Sequence, residues 1–177
     1  FHEKDPSLPN PAREFQKARK QMKQISEAFP VLDYMMGNHC SLPQRKARLI
    51  GLPDDVLVDF ATLWDVQDWT IHPRFADFEL NGVTYRHGDK GKGGLMAGYK
   101  NAIAEFQSVA QGHLHAQAGV VYHANQGDCV FGMQVGCGVD HDHPAMNYGR
   151  VYSAKPIVGC GVVFSPKRAN FIPMDLS

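Results

Sequence analysis

From Phe15 onward, apolar residues recur at three- and four-residue steps: Phe15, Ala18, Met22, Ile25 and Phe29, with Arg, Lys and Gln between them. That spacing lays one apolar stripe along an amphipathic helix. Asn10-Pro11 supplies its start, a capping side chain with proline in the first turn, and Phe29-Pro30 marks its end. The period then changes. A short, mainly apolar run over 31–36 reads as a buried strand stopping at Gly37, and 43–52 and 54–64 read as helical. Strands over 75–80 and 83–87 flank Asn81-Gly82, a strong hairpin signal. A glycine- and lysine-rich loop over 88–94 precedes a helix over 95–106. Short strands follow over 108–111, 119–123, 129–135, 157–164 and 170–172. Helices alternate with strands early and strands dominate the end, with no internal repeat, linker or composition break. The pattern implies one domain over residues 1–177 and a mixed α/β sandwich.

Composition narrows the class. Of the 177 residues, 44% are hydrophobic and 20% charged, as in a soluble globular protein. The formal net charge is +0, which removes any global attraction to nucleic acid or anionic membrane. A phosphate-bearing substrate stays open, because bound metal ions supply local positive charge. The basic face of the first helix reads more simply as a solvated surface than as a nucleic-acid contact. Cys40, Cys129, Cys137 and Cys160 form no CxxC pair, so they read as free thiols in a reducing compartment rather than a disulfide framework. No apolar run is long enough for a bilayer, and the first residues do not form a signal peptide. The expectation is a cytoplasmic protein without membrane contact.

Nine histidines carry the chemistry, and their placement matters more than their number. His39, His87 and His113 each follow an expected strand end and adjoin glycine, where the chain turns sharply and the backbone comes near a ligand. Such strand ends are where α/β sheets place their sites. His113 and His115 are two apart, so in an extended segment both rings face one side. Imidazole suits zinc, iron, manganese and similar ions. Taken singly, each signal is weak: HxH is common, GNH fits an ordinary turn, and His87 could bond a loop. Their order is more specific.

The succession Gly37-Asn38-His39, His87-Gly88, then Gly112-His113-Leu114-His115 resembles the calcineurin-like metallophosphoesterases, and the wording around it is most similar to bacterial and bacteriophage members. The resemblance implies an α/β/β/α sandwich of two mixed sheets, here with its N-terminal strands missing. It implies two divalent ions (manganese, iron, zinc or nickel) and hydrolysis of a phosphodiester or phosphomonoester, with nucleic acids and nucleotides among the candidate substrates. It assigns Asn38, His87 and His113 to the second metal and His115 to the first. His39 becomes the acid or charge stabiliser facing the phosphate, and Asn38 and His39 the substrate contacts. The setting would be a bacterial or phage-infected cytoplasm.

Two motifs of that family, DxH and GDxxD, do not precede Gly37-Asn38-His39, and Cys40 stands where the family has an acid. Either these residues are the C-terminal majority of a longer enzyme, or the first half-site has been lost and the protein is a structural or metal-binding one on a decayed fold. A cupin-like all-β metal protein is a further rival, opposed by the expected helices. Asp140-His141-Asp142-His143-Pro144 reads as a surface turn or a rim of the cleft. Lys90 and Lys92 read as substrate contacts, and Trp64 and Trp69 as core or interface residues.

Overall fold

The computed structural model describes residues 10–139 and 154–174. The Asp140-His141-Asp142-His143 tract therefore lies outside the described residues.

Helix α1 (Pro11–Ala28) begins as the sequence implies, with the Asn10 side chain accepting from the Ala12 N–H at 2.9 Å. Phe15 lies 5.2 Å from Trp64, joining α1 to α3 (Phe60–Trp64). Strand β1 (Asp33–Met35) is shorter than the apolar run, and α2 is Leu42–Leu49. The helix expected over 54–64 is broken. It consists of a 3-10 turn at Asp54–Val56 and then α3, because Leu57 is extended and the Asp59 side chain caps a fresh start by accepting from the Thr62 N–H at 2.9 Å. A strand absent from the sequence reading, β2 (Thr70–His72), pairs parallel with β1.

The main sheet has five strands in the order β3-β4-β5-β7-β6. These are β3 (Phe78–Leu80), β4 (Val83–Arg86), β5 (Ser108–Gln111), β6 (Ala118–Ala124) and β7 (Cys129–Val135). β4, β5 and β7 run parallel, and β3 and β6 are antiparallel edges. Asn81 and Gly82 both hold positive φ, 50° and 72°, as a two-residue hairpin turn of this hand requires. β8 (Gly159–Ser165) and β9 (Arg168–Pro173) form a separate antiparallel hairpin.

Alternation along the strands sorts the two faces of the main sheet. Val83, Ala110, Phe131 and Met133 point to one side, where they bury with Ala169 of β9 into the apolar core. The β8-β9 hairpin covers that side and is fastened by Tyr122, whose hydroxyl donates to the Ala169 carbonyl at 2.9 Å and accepts its N–H at 3.0 Å. Helix α4 (Ala97–Glu105) covers the other side so closely that Gly98 and Gly132 meet backbone to backbone. Arg86, at the end of β4, donates to both carboxylate oxygens of Glu105 on α4 at 2.7 and 2.6 Å. Its Nε lies 3.0 Å from Asp77, off the line of the N–H, so that contact is an ion pair only.

The architecture is mixed α/β, with helix, sheet and hairpin in layers. Among the described residues no helix is long and apolar enough to cross a membrane.

Candidate functional site

Three strands deliver the candidate residues from their carboxyl ends: β1 of the small sheet, and the parallel neighbours β4 and β5 of the main sheet. β1 runs into Gly37-Asn38-His39, β4 into His87, and β5 into Gly112-His113. Ligands bind outside the carboxyl ends of strands in open α/β sheets.

The turn after β1 is held by Ser41 N–H to the Gly37 carbonyl at 3.1 Å and by Arg45 Nη2 to the Asn38 carbonyl at 2.9 Å. With its backbone fixed, Asn38 Oδ1 lies 3.0 Å from His87 Nε2. A Cβ at position 37 would lie 2.4–2.6 Å from three atoms of the His87 ring, so glycine there is what lets that ring keep its place. The His87 and His113 rings stand edge to face with centroids 5.1 Å apart. His39 is exposed, and His87, His113 and His115 are half-buried.

Gly112 to His115 departs from the expected extended geometry. His113 has φ 69°, and the Leu114 N–H bonds back to the Gly112 carbonyl at 2.8 Å, so the segment turns. His113 and His115 therefore do not project as alternate residues of a strand. A left-handed conformation is uncommon for a residue with a side chain and marks a position that the surroundings must enforce.

The enforcing group is a buried chain of amides between α4 and the sheet. Asn101 Oδ1 accepts the Lys92 N–H at 2.7 Å, and its Nδ2 donates to Gln111 Oε1 at 2.9 Å. Gln111 Nε2 donates to Gln134 Oε1 at 3.3 Å, and Gln134 Nε2 donates to the Gly112 carbonyl. All three side chains are buried, so each depends on the others for partners. Asn101, Gln111 and Gln134 escape a sequence reading because polar residues on a helix and two strands look like surface positions.

Burial, above all, lowers the pKa of His87 and of His115. His113 and Arg74 push His87 further down while Asp89 opposes them, and His39 and His113 add to the effect on His115. These influences place the four motif histidines in one electrostatic neighbourhood. Both rings are neutral near pH 7, the form that ligates metal. Below the ordinary value of about 6.5 the unfolded chain binds protons that these folded rings refuse. Their contribution to stability is therefore whole above that value, is lost as pH falls through it, and levels off below the lowered folded-state values. Melting should occur at a lower temperature at about pH 5.5 than at about pH 7.5. The double variant His87→Gln, His115→Gln should show a smaller difference; an unchanged one would acquit both rings.

Among the described residues, no three His, Cys, Asp or Glu side chains gather closely enough to hold a metal ion by themselves. The donor set at this site is mixed, two imidazoles and one amide oxygen. His87 Nε2 donates a hydrogen bond to Asn38 Oδ1 at 3.0 Å, so that nitrogen would have to give up its proton for both atoms to ligate one ion. Imidazole nitrogen and amide oxygen are donor types that suit a borderline divalent ion.

Other sequence candidates have structural partners. Lys90 Nζ bonds the Phe75 carbonyl at 3.3 Å and Asp77 at 2.9 Å, and Trp69 Nε1 donates to the Phe29 carbonyl at 3.0 Å. Trp69 is buried and Trp64 packs on Phe15. All four cysteines are free. Cys40 Sγ is 2.9 Å from the Tyr34 hydroxyl, whose pKa is raised above the usual phenol range by burial first and by the thiol second. No family model, no curated protein and no solved structure matches this chain.

Proposed function

We propose that this chain is a metal-dependent phosphoesterase of the calcineurin-like type, a hydrolase acting on phosphodiesters or phosphomonoesters. The carrying observation is that Asn38, His87 and His113 follow the carboxyl ends of three strands and meet there, with His87 Nε2 hydrogen-bonded to Asn38 Oδ1 at 3.0 Å and the His87 and His113 ring centroids 5.1 Å apart. The layering of α4, mixed sheet and β8-β9 hairpin is compatible with an α/β/β/α sandwich, whose remaining helical layer would lie beyond the hairpin.

In this reading Asn38, His87 and His113 would hold one divalent ion, and His115 would contribute to a second. Ions held there would activate water and offset phosphate charge. Asn38 orients the phosphate. His39, exposed beside the turn, hands a proton to the departing oxygen, a task suited to imidazole near neutral pH. The family's DxH and GDxxD motifs do not precede Gly37 in these 177 residues, so the chain alone is expected to turn over phosphodiesters poorly.

Calorimetric titration with manganese tests the reading. The chain should take up about one ion, His87→Ala should abolish uptake, and His39→Ala should leave it intact. Loss of metal in His39→Ala would overturn its role as acid. The absence of a self-sufficient His, Cys, Asp or Glu cluster among the described residues favours a second reading, a structural protein on the same fold. No manganese uptake by the wild-type chain would favour that reading and sink the enzyme.

A further inference from the structure

We propose that Arg74 is an anion-binding residue of this site, whose terminal guanidinium nitrogens take non-bridging oxygens of a phosphate placed beside His87. The inference rests on the phosphoesterase reading for its substrate.

Arg74 lies two residues beyond β2, the strand that the sequence pattern does not reveal. Its Nε donates to Asp89 Oδ2 at 2.6 Å, and the Asp89 side chain is only 6% exposed. Asp89 itself follows His87-Gly88, so this ion pair bridges the turn after β2 to the loop that leaves the candidate ligand. No described residue partners the two terminal nitrogens. The guanidinium carbon also rests 4.3 Å from the centre of the Phe75 ring.

Anchoring by Nε and stacking on one face leave a planar, permanently charged fork whose outer edge is unpartnered among the described residues. That edge is the one that meets phosphate with two parallel hydrogen bonds. The anchoring carboxylate is 6% exposed and the Arg74 side chain 22%, so the fork is held in place while part of the arginine still reaches solvent.

The surroundings hold the arrangement in place. Phe75 has φ 71°, rare for a bulky residue, and its carbonyl is pinned by Lys90, which also pairs with Asp77. Lys90 is thereby committed to the loop, whereas the terminal nitrogens of Arg74 have no partner among the described residues. The Arg74 charge also reaches His87, where it opposes protonation of the ring. In a chain of zero net charge, a rigid local cation is what a phosphate group would find.

The test is an NMR titration of the metal-free full chain with inorganic phosphate, following the Arg Nε–H and histidine ring signals. Phosphate should shift the Arg74 signal together with that of His87. Arg74→Lys keeps a positive charge opposite Asp89 but lacks the fork, and should weaken phosphate binding by about tenfold or more; Arg74→Gln should weaken it further. Melting temperatures accompany both variants, and if Arg74→Gln does not fold, Arg74→Lys decides. Undiminished phosphate affinity in the folded variants, or a wild-type chain whose Arg74 signal ignores phosphate, overturns the proposal. Failure of the metal reading is visible separately, as absent manganese uptake by the wild-type chain. Phosphate binding that depends on Arg74 supports the anion site in either case.

Discussion

Alanine at position 132 is expected to destabilise the fold by about 3 kcal/mol, at the upper end of what one added methyl costs in a packed interior. Gly132 lies at the centre of β7, under α4, and a Cβ there would come within 2.3–2.4 Å of Tyr99 Cα and of the Gly98 carbonyl group. Those atoms are backbone, so no rotamer change relieves the overlap and the helix itself must lift. The approach is tight from both sides, since a Cβ on Gly98 would meet the Met133 carbonyl oxygen at 2.9 Å. Lifting α4 also draws Asn101 away from Gln111, leaving buried amides without partners and adding to the cost. For a domain of this size the loss corresponds to a melting temperature lower by roughly 6–12 °C, measurable by circular dichroism. A variant melting within about 2 °C of wild type would show that helix and strand are not in backbone contact.

Gly37→Ala should act in the opposite manner, sparing the fold and damaging the site. Here the added methyl meets the His87 ring, which is a side chain and can swing aside. Swinging aside breaks the 3.0 Å contact with Asn38 and takes the imidazole away from His113. Manganese affinity should then fall about 10–100-fold, the range seen when the support of a metal ligand is disturbed, with little change in melting temperature. Calorimetry on the two proteins reads this directly. Wild-type affinity in the variant would count against both the packing and the assignment of His87 as a ligand. Together, the two glycines separate the requirements of the fold from those of the site.

The outline of both was legible in the order of residues. Asn10-Pro11 caps α1 because capping and a fixed proline φ are local properties. Asn81-Gly82 turns the hairpin because those residues accept positive φ with little strain. β5 and β7 have the bounds that the apolar runs imply, since buried strands reject polar residues at their centres. Gly37-Asn38-His39, His87 and Gly112-His113 do follow strand ends. Asp59 carried a readable capping signal within the region taken as one helix, and it marks where α3 starts afresh.

What the sequence could not convey depends on partners distant in the chain. β2 is three residues long and exists because β1 lies beside it, so no periodicity develops over its length. The turn at His113 is imposed through the amides of Gln134, Gln111 and Asn101, residues whose burial is decided only when α4 closes on the sheet. Arg74 becomes a candidate only through Asp89, fifteen positions away. The sequence by itself determined which residues could perform chemistry and at which strand ends they stand, because secondary structure and turns follow from local sterics and hydrophobic period. Tertiary structure alone decided which side chains face one another, how His113 is turned, and which carboxylate orients Arg74, because those depend on contacts that no local pattern encodes.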